Sequence, residues 1–258
     1  MKAIIPLTLF LFCITPNSYG QTNSFDKADK ELTSLYSKIF SFYYGDPDSL
    51  NHYSELFTKR FRAFIKNNPT TLSYKFKSVT DSNVCSIVTS SDGYFRIYSW
   101  DTWLGGTMHD FNNTFQFKSG DKVHLMNLNN DEYGSCLTDI FTLKANGKTY
   151  YLAVSGGSES TKDAYETISV YSISKDTLNS NVRLIKTKSG LTNSISFEYD
   201  FFNVVDRPER PISLIWFDPD KRIIYIPIVL ENGKVTDRYI AYQFNGQFFE
   251  KVQTEKKK

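Results

Sequence analysis

Residues 90–101, SSDGYFRIYSWD, decide how this chain is read. Asp92-Gly93 tolerates the positive φ of a tight turn, and the chain then enters a run of aromatic and β-branched side chains that favour a strand. The same turn-then-strand texture recurs in KANGKTYYLAVSGG (144–157) and DPDKRIIYIPIV (218–229). Asn146-Gly147, Pro219-Asp220, Asn232-Gly233 and Asn245-Gly246 separate further short runs. Hairpin after hairpin predicts an antiparallel meander, because parallel strands need long crossover connections. About fourteen such strands follow residue 72, the first at 73–78, and one open sheet rarely holds more than ~10. The sheet must therefore close, stack or curl. A propeller-like arrangement is the expected architecture, with a β-sandwich or a large barrel as alternatives. Trp100-Asp101 is a WD dipeptide, but no fixed repeat period accompanies it.

Upstream of residue 72 the period changes from two to that of a helix. Leu32, Leu35, Tyr36, Ile39 and Phe40 form one apolar stripe, and Leu50, Tyr53, Phe57, Phe61 and Phe64 form a second. Gly45-Asp46-Pro47-Asp48 breaks between them, Ser49 is placed to cap the second helix, and Asn67-Asn68-Pro69 ends it. Lys59, Arg60, Arg62 and Lys66 read as the solvated side of that helix. The expected organisation is a leader at 1–20, a helical hairpin at 21–70 docked on an all-β domain at 71–253, and a short basic tail at 254–258.

The leader, MKAIIPLTLFLFCITPNSYG, has an early Lys2, an apolar run of about 13 residues and small residues at Ser18 and Gly20. That is the layout of a secretory signal peptide, and the run is too short to span a bilayer. Cys13 follows bulky Phe12 and lies inside the apolar run, which argues against a lipid anchor. The expected mature protein begins near Gln21, is soluble, and works in the periplasm or as a secreted protein. Without Lys2 it carries 29 basic and 28 acidic side chains, so its charge gives no reason to expect nucleic acid or an anionic membrane. Cys85 and Cys136 remain; an oxidising compartment permits a disulfide between them, and two buried thiols are the alternative. No zinc motif, phosphate loop or nucleophile motif occurs, and no cofactor is implied.

The densest chemistry lies in Tyr98–Phe111, YSWDTWLGGTMHDF. Trp100, Trp103 and His109 beside Gly105-Gly106 would form a wall for a small molecule or a sugar face. Asp101, His109 and Asp110 would supply hydrogen bonds or proton transfer. The competing explanation places both tryptophans in the core and His109 at the surface. DGYFRIYSWDTWLGGTMH (92–109) and FDPDKRIIYIPIVLENGKVTDRYIAYQFNGQFF (217–249) resemble a group of uncharacterised exported proteins of Bacteroidetes-type bacteria. The resemblance implies a bacterial exported protein and a shared fold, and it carries no chemistry. The expected function is therefore non-catalytic binding of a glycan, a peptide or a cell-envelope partner on a β scaffold. The alternative is a hydrolase of an extracellular polymer such as a polysaccharide.

Overall fold

The computed structural model describes residues 18–128, 134–208 and 211–256. Most of the leader, up to residue 17, and the last two lysines of the tail lie outside the described residues. Two helices come first, α1 (Ser18–Phe42) and α2 (Pro47–Asn67). Asp46, not Ser49, caps α2: its carboxylate accepts from the amides of Asp48 and Ser49, and Pro47 fills the first helical turn where no N–H is needed. The two predicted stripes lie on the packed faces, except for Phe40, which is 55% exposed. Leu32, Leu35, Tyr36 and Ile39 meet Phe57, Phe61 and Ile65 in one cluster. Arg62 is not on the solvated side. It lies over the Trp100 ring and donates to Thr114 and Asn112.

Residues 69–81 form two short helical pieces joined by irregular chain at 73–76, where a strand was expected at 73–78. A 3₁₀ turn (Pro69–Leu72) leads to the short helix α3 (Lys77–Asp81). Side chains from neighbouring elements satisfy the backbone groups that a strand would have paired. Buried Asp29 of α1 accepts from the amides of Ser78 at 2.7 Å and Val79 at 3.1 Å. The guanidinium of buried Arg96 donates to the carbonyls of Thr71 and Tyr74, both at 2.6 Å. Asp29→Ala orphans two helix-start amides, one of them buried, and is expected to cost about 2 kcal/mol in a urea titration, since a buried donor left without a partner costs ~1–3. Asp29→Asn, which keeps one acceptor, should fall between that variant and the native chain.

The strands form three separate sheets. The first, in the order β1-β2-β3-β4, contains β1 (Ser86–Thr89), β2 (Phe95–Asp101), β3 (Phe111–Ser119) and β4 (Lys122–Leu128). The second is built from β5 (Cys136–Ala145), β6 (Lys148–Ser158), β7 (Asp163–Ser174) and β8 (Thr177–Asn179). A small hairpin of β9 (Ile185–Thr187) and β10 (Gly190–Thr192) then leaves for the third sheet, before β11 (Ser194–Asp200) returns to pair with β7. The third sheet is completed by β12 (Trp216–Asp218), β13 (Ile223–Val229), β14 (Val235–Phe244) and β15 (Phe249–Lys256), in the order β10-β9-β15-β14-β13-β12. All pairings are antiparallel except β15 with β9.

The sheets stack face to face under the helices. Tyr98 and Trp100 of β2 face α1 and α2, while Phe95 and Ile97 of the same strand face Tyr151 and Ala153 of β6. The next residues of β6, Leu152 and Val154, face Ile224, Ile226 and Phe249 of the third sheet. The layers are thus helix pair, first sheet, second sheet, third sheet, and the middle sheets are covered on both faces. The protein is mainly β with antiparallel sheets and an N-terminal helical pair, as expected. Among the described residues no barrel or propeller closes. Nor is any described helix long and apolar enough to cross a membrane.

Candidate functional site

The loop from β2 to β3 carries the predicted residues to one end of the stack. Asp101 ends β2 and pairs in register with Phe111 at the start of β3. Between them the Thr102 amide donates to the Asp110 carbonyl at 2.7 Å and closes the loop at its base. Trp103 (φ 61°) and His109 (φ 47°) both hold left-handed backbone, rare for side chains of that size. Gly105 makes the geometry feasible: a Cβ there would lie 2.6 Å from the His109 carbonyl carbon and 2.8 Å from the Asp110 nitrogen.

Asp101 organises the loop. One carboxylate oxygen accepts from the Trp103 amide at 2.8 Å, and the other lies 2.6 Å from His109 Nδ1. That contact places the Nδ1 proton between ring and carboxylate, which leaves Nε2 as an acceptor. His109 Nε2 has no partner among the described residues, and the side chain is 43% exposed. The bond from Asp101 holds the imidazole pKa above its ordinary value, against the opposing effect of burial. Behind the pair, Trp103 Nε1 donates to the Tyr36 hydroxyl at 2.9 Å, and that hydroxyl donates to the Asp101 carbonyl at 2.9 Å. Trp103 also packs edge-on against Phe40 and Tyr43, so α1 buttresses the loop. Asp110 is committed to structure: its carboxylate accepts from the Thr102 hydroxyl and the Gly134 amide.

Trp100 does not belong to the site. It is 1% exposed, its ring packs edge-on against Phe57 and Phe61, and its Nε1 donates to Thr58 Oγ1 at 3.2 Å. Alternation along β2 explains this: Trp100 and Asp101 point to opposite faces, so Trp100 turns to the helices and Asp101 to His109. The structure therefore brings Asp101 and His109 into contact, uses Trp103 and Asp110 to frame them, and assigns Trp100 to the core beneath α2. Cys85 and Cys136 are free thiols. Cys85 lies in the helix-side core, and Cys136 lies at the cleft, where burial and nearby Asp101 push its thiol up to about 12.

His109 stands on a cleft of about 180 Å³ walled by Phe111, Cys136, Glu166, Tyr199, Phe201 and Ile212. A β-bulge in β5 between Leu137 and Asp139 turns Thr138 toward the same space. Glu166 is the deepest charged group, 1% exposed. Its carboxyl accepts from the amides of Leu214 and Ile215, all at 2.9 Å, and so pins the segment after Pro211 against β7. Burial pushes its pKa up to about 7, the two amides and Arg207 pull the other way, and Asp139 adds to the rise. Sequence motifs missed Glu166, but one signal was present. In AYETISVY it shares strand parity with Ile168 and Val170, which marks a carboxyl on a buried face. No family model and no curated protein matches the chain. Among the described residues no group of three or more His, Cys, Asp or Glu side chains is arranged to hold a metal ion.

Proposed function

We propose that this chain is an exported binding protein that takes a ring-sized piece of a hydroxylated ligand, such as one sugar unit of a glycan, into the His109 cleft. One observation carries the reading: the half-exposed imidazole, oriented by Asp101, offers an unpartnered Nε2 acceptor at the mouth of an aromatic-walled cleft. A fixed acceptor on a mostly apolar wall suits a ligand with a flat face and a donating hydroxyl. The size agrees, since a cavity of about 150 Å³ holds benzene. Glycoside cleavage needs two opposed carboxyl groups. Here Asp101 is committed to His109 and Glu166 to backbone amides, so binding is the better-supported reading. Export rests on the leader layout at 1–20, and the near-neutral charge supports a neutral partner.

Calorimetric titration with monosaccharides and short glycans tests the reading. His109→Ala is expected to weaken binding about tenfold, the scale of one lost hydrogen bond with its packing. His52→Ala, an exposed histidine on α2, should leave it unchanged. Equal affinity in the native chain and His109→Ala, or no binding of any sugar to the native chain, sinks the proposal.

A further inference from the structure

We infer that the Asp101–His109 pair also makes the cleft hydrolytic, removing a small acyl group esterified to the ring that binds there. This rests on the binding reading above. The residues are arranged as a base and its orienting group: Nδ1–H faces the Asp101 carboxylate at 2.6 Å, and Nε2 is open toward the cleft. Two left-handed residues and a glycine that tolerates no Cβ hold that orientation, which is the kind of local strain that persists where surrounding structure enforces it. A water donating to Nε2 attacks the ester carbonyl carbon as its proton passes to the imidazole. The carbon–oxygen bond to the ring then breaks, and the imidazolium returns the proton to the leaving oxygen. Ester and water become acid and alcohol, with no other reactant. Asp101 stabilises the imidazolium between the two steps.

The other walls narrow the substrate. Among the described residues that line the cleft there is no Lys or Arg, and Arg207 acts from beside it on Glu166 and Tyr199. Neither carboxyl is free to serve a glycosidic oxygen, as described above. Cys136 stays a thiol, because burial and nearby Asp101 push its pKa up to about 12, so water and not sulfur is the attacking group. A neutral acyl ester of acetyl size fits these mostly apolar walls.

Acetate release from acetylated glucose, with 4-nitrophenyl acetate as a second probe, tests this. His109→Ala is expected to lower the rate 10²–10⁴-fold, the contribution typical of a positioned general base. Asp101 is a positioning residue, and its signature is the pH profile. Activity should rise with pH as His109 loses its proton, with a midpoint above that of an ordinary imidazole. Asp101→Asn keeps the acceptor for Trp103, removes the charge, and should move that midpoint down. Asp101 faces the imidazole directly; the other titratable groups among the described residues lining the cleft are Cys136, Glu166 and Tyr199, with Arg207 acting on the last two. Glu166 titrates in the same range, so the profile is to be read in a Glu166→Gln background. Equal acetate release by the native chain and His109→Ala, or an unmoved midpoint in Asp101→Asn, overturns the inference. Sugar binding without acetate release overturns it while leaving the binding reading intact; absence of binding removes that reading itself.

Discussion

Replacing Glu166 with alanine is expected to destabilise the fold by roughly 2–5 kcal/mol at pH 5, because two buried amides, those of Leu214 and Ile215, lose their acceptor at ~1–3 kcal/mol each. The native carboxyl also makes stability depend on pH. Its pKa rises from 4.5 in the unfolded chain to about 7 in the folded one. Between those values the folded state holds the proton more tightly, so stability falls as pH rises. The contribution is fully present below about pH 4.5 and lost above about pH 7, a swing of roughly 3 kcal/mol at ~1.4 per pH unit. Glu166→Gln keeps an acceptor and cannot ionise, so it should flatten this window and exceed the native chain in stability at pH 8. Urea midpoints at pH 4.5, 6 and 8 decide it; parallel curves for the two proteins would show that the buried group does not titrate there.

Trp100→Ala should cost about 3–5 kcal/mol, the range for deleting a fully buried large aromatic side chain. The space opened lies between β2 and α2, where the ring supports Phe57 and Phe61 from below and Arg62 from above. The helix pair should therefore loosen first, which circular dichroism at 222 nm during denaturation can follow. Trp100→Phe keeps most of the volume and loses only the bond to Thr58, so it should cost about 1–2 kcal/mol. Sugar binding by Trp100→Phe separates core from site: unchanged affinity fits the buried position, and a tenfold loss would return Trp100 to the ligand wall.

The hairpins were legible because their turns require backbone that few residues adopt. Asn146 and Gly147 hold positive φ, as do Gly93, Gly233 and Gly246. Helix pairing was legible from two apolar stripes. The segment 69–81 was misread because its stability comes from Asp29 and Arg96, remote side chains that supply what the local run SYKFKS lacks. The stacking of sheets was hidden for a related reason. Strands covered on both faces are apolar on both, so alternation in FRIYSW cannot say which neighbour each face meets. In the site, Asp101 and His109 were visible because they lie only eight positions apart. Cys136, Glu166, Tyr199 and Phe201 come from distant strands and turns, and only the stack brings them to one opening.

The lone parallel pairing, β15 on β9, sets an order of assembly. Phe249 aligns with Ile185 and Glu250 with Lys186, so the third sheet joins a mid-chain hairpin to nearly the last residues described. Such distant partners must wait for slow loop closure. While the chain is still being made, the helix pair and the first two sheets have all the strands they need except β11, which follows shortly. The small hairpin β9–β10 has none to dock on until β15 exists. A nascent chain halted before residue 249 would thus lack Phe249, which completes the cluster of Leu152, Val154, Ile168 and Val170. β15 acts as the stroke that closes the third sheet, and chains lacking it should be the ones that aggregate.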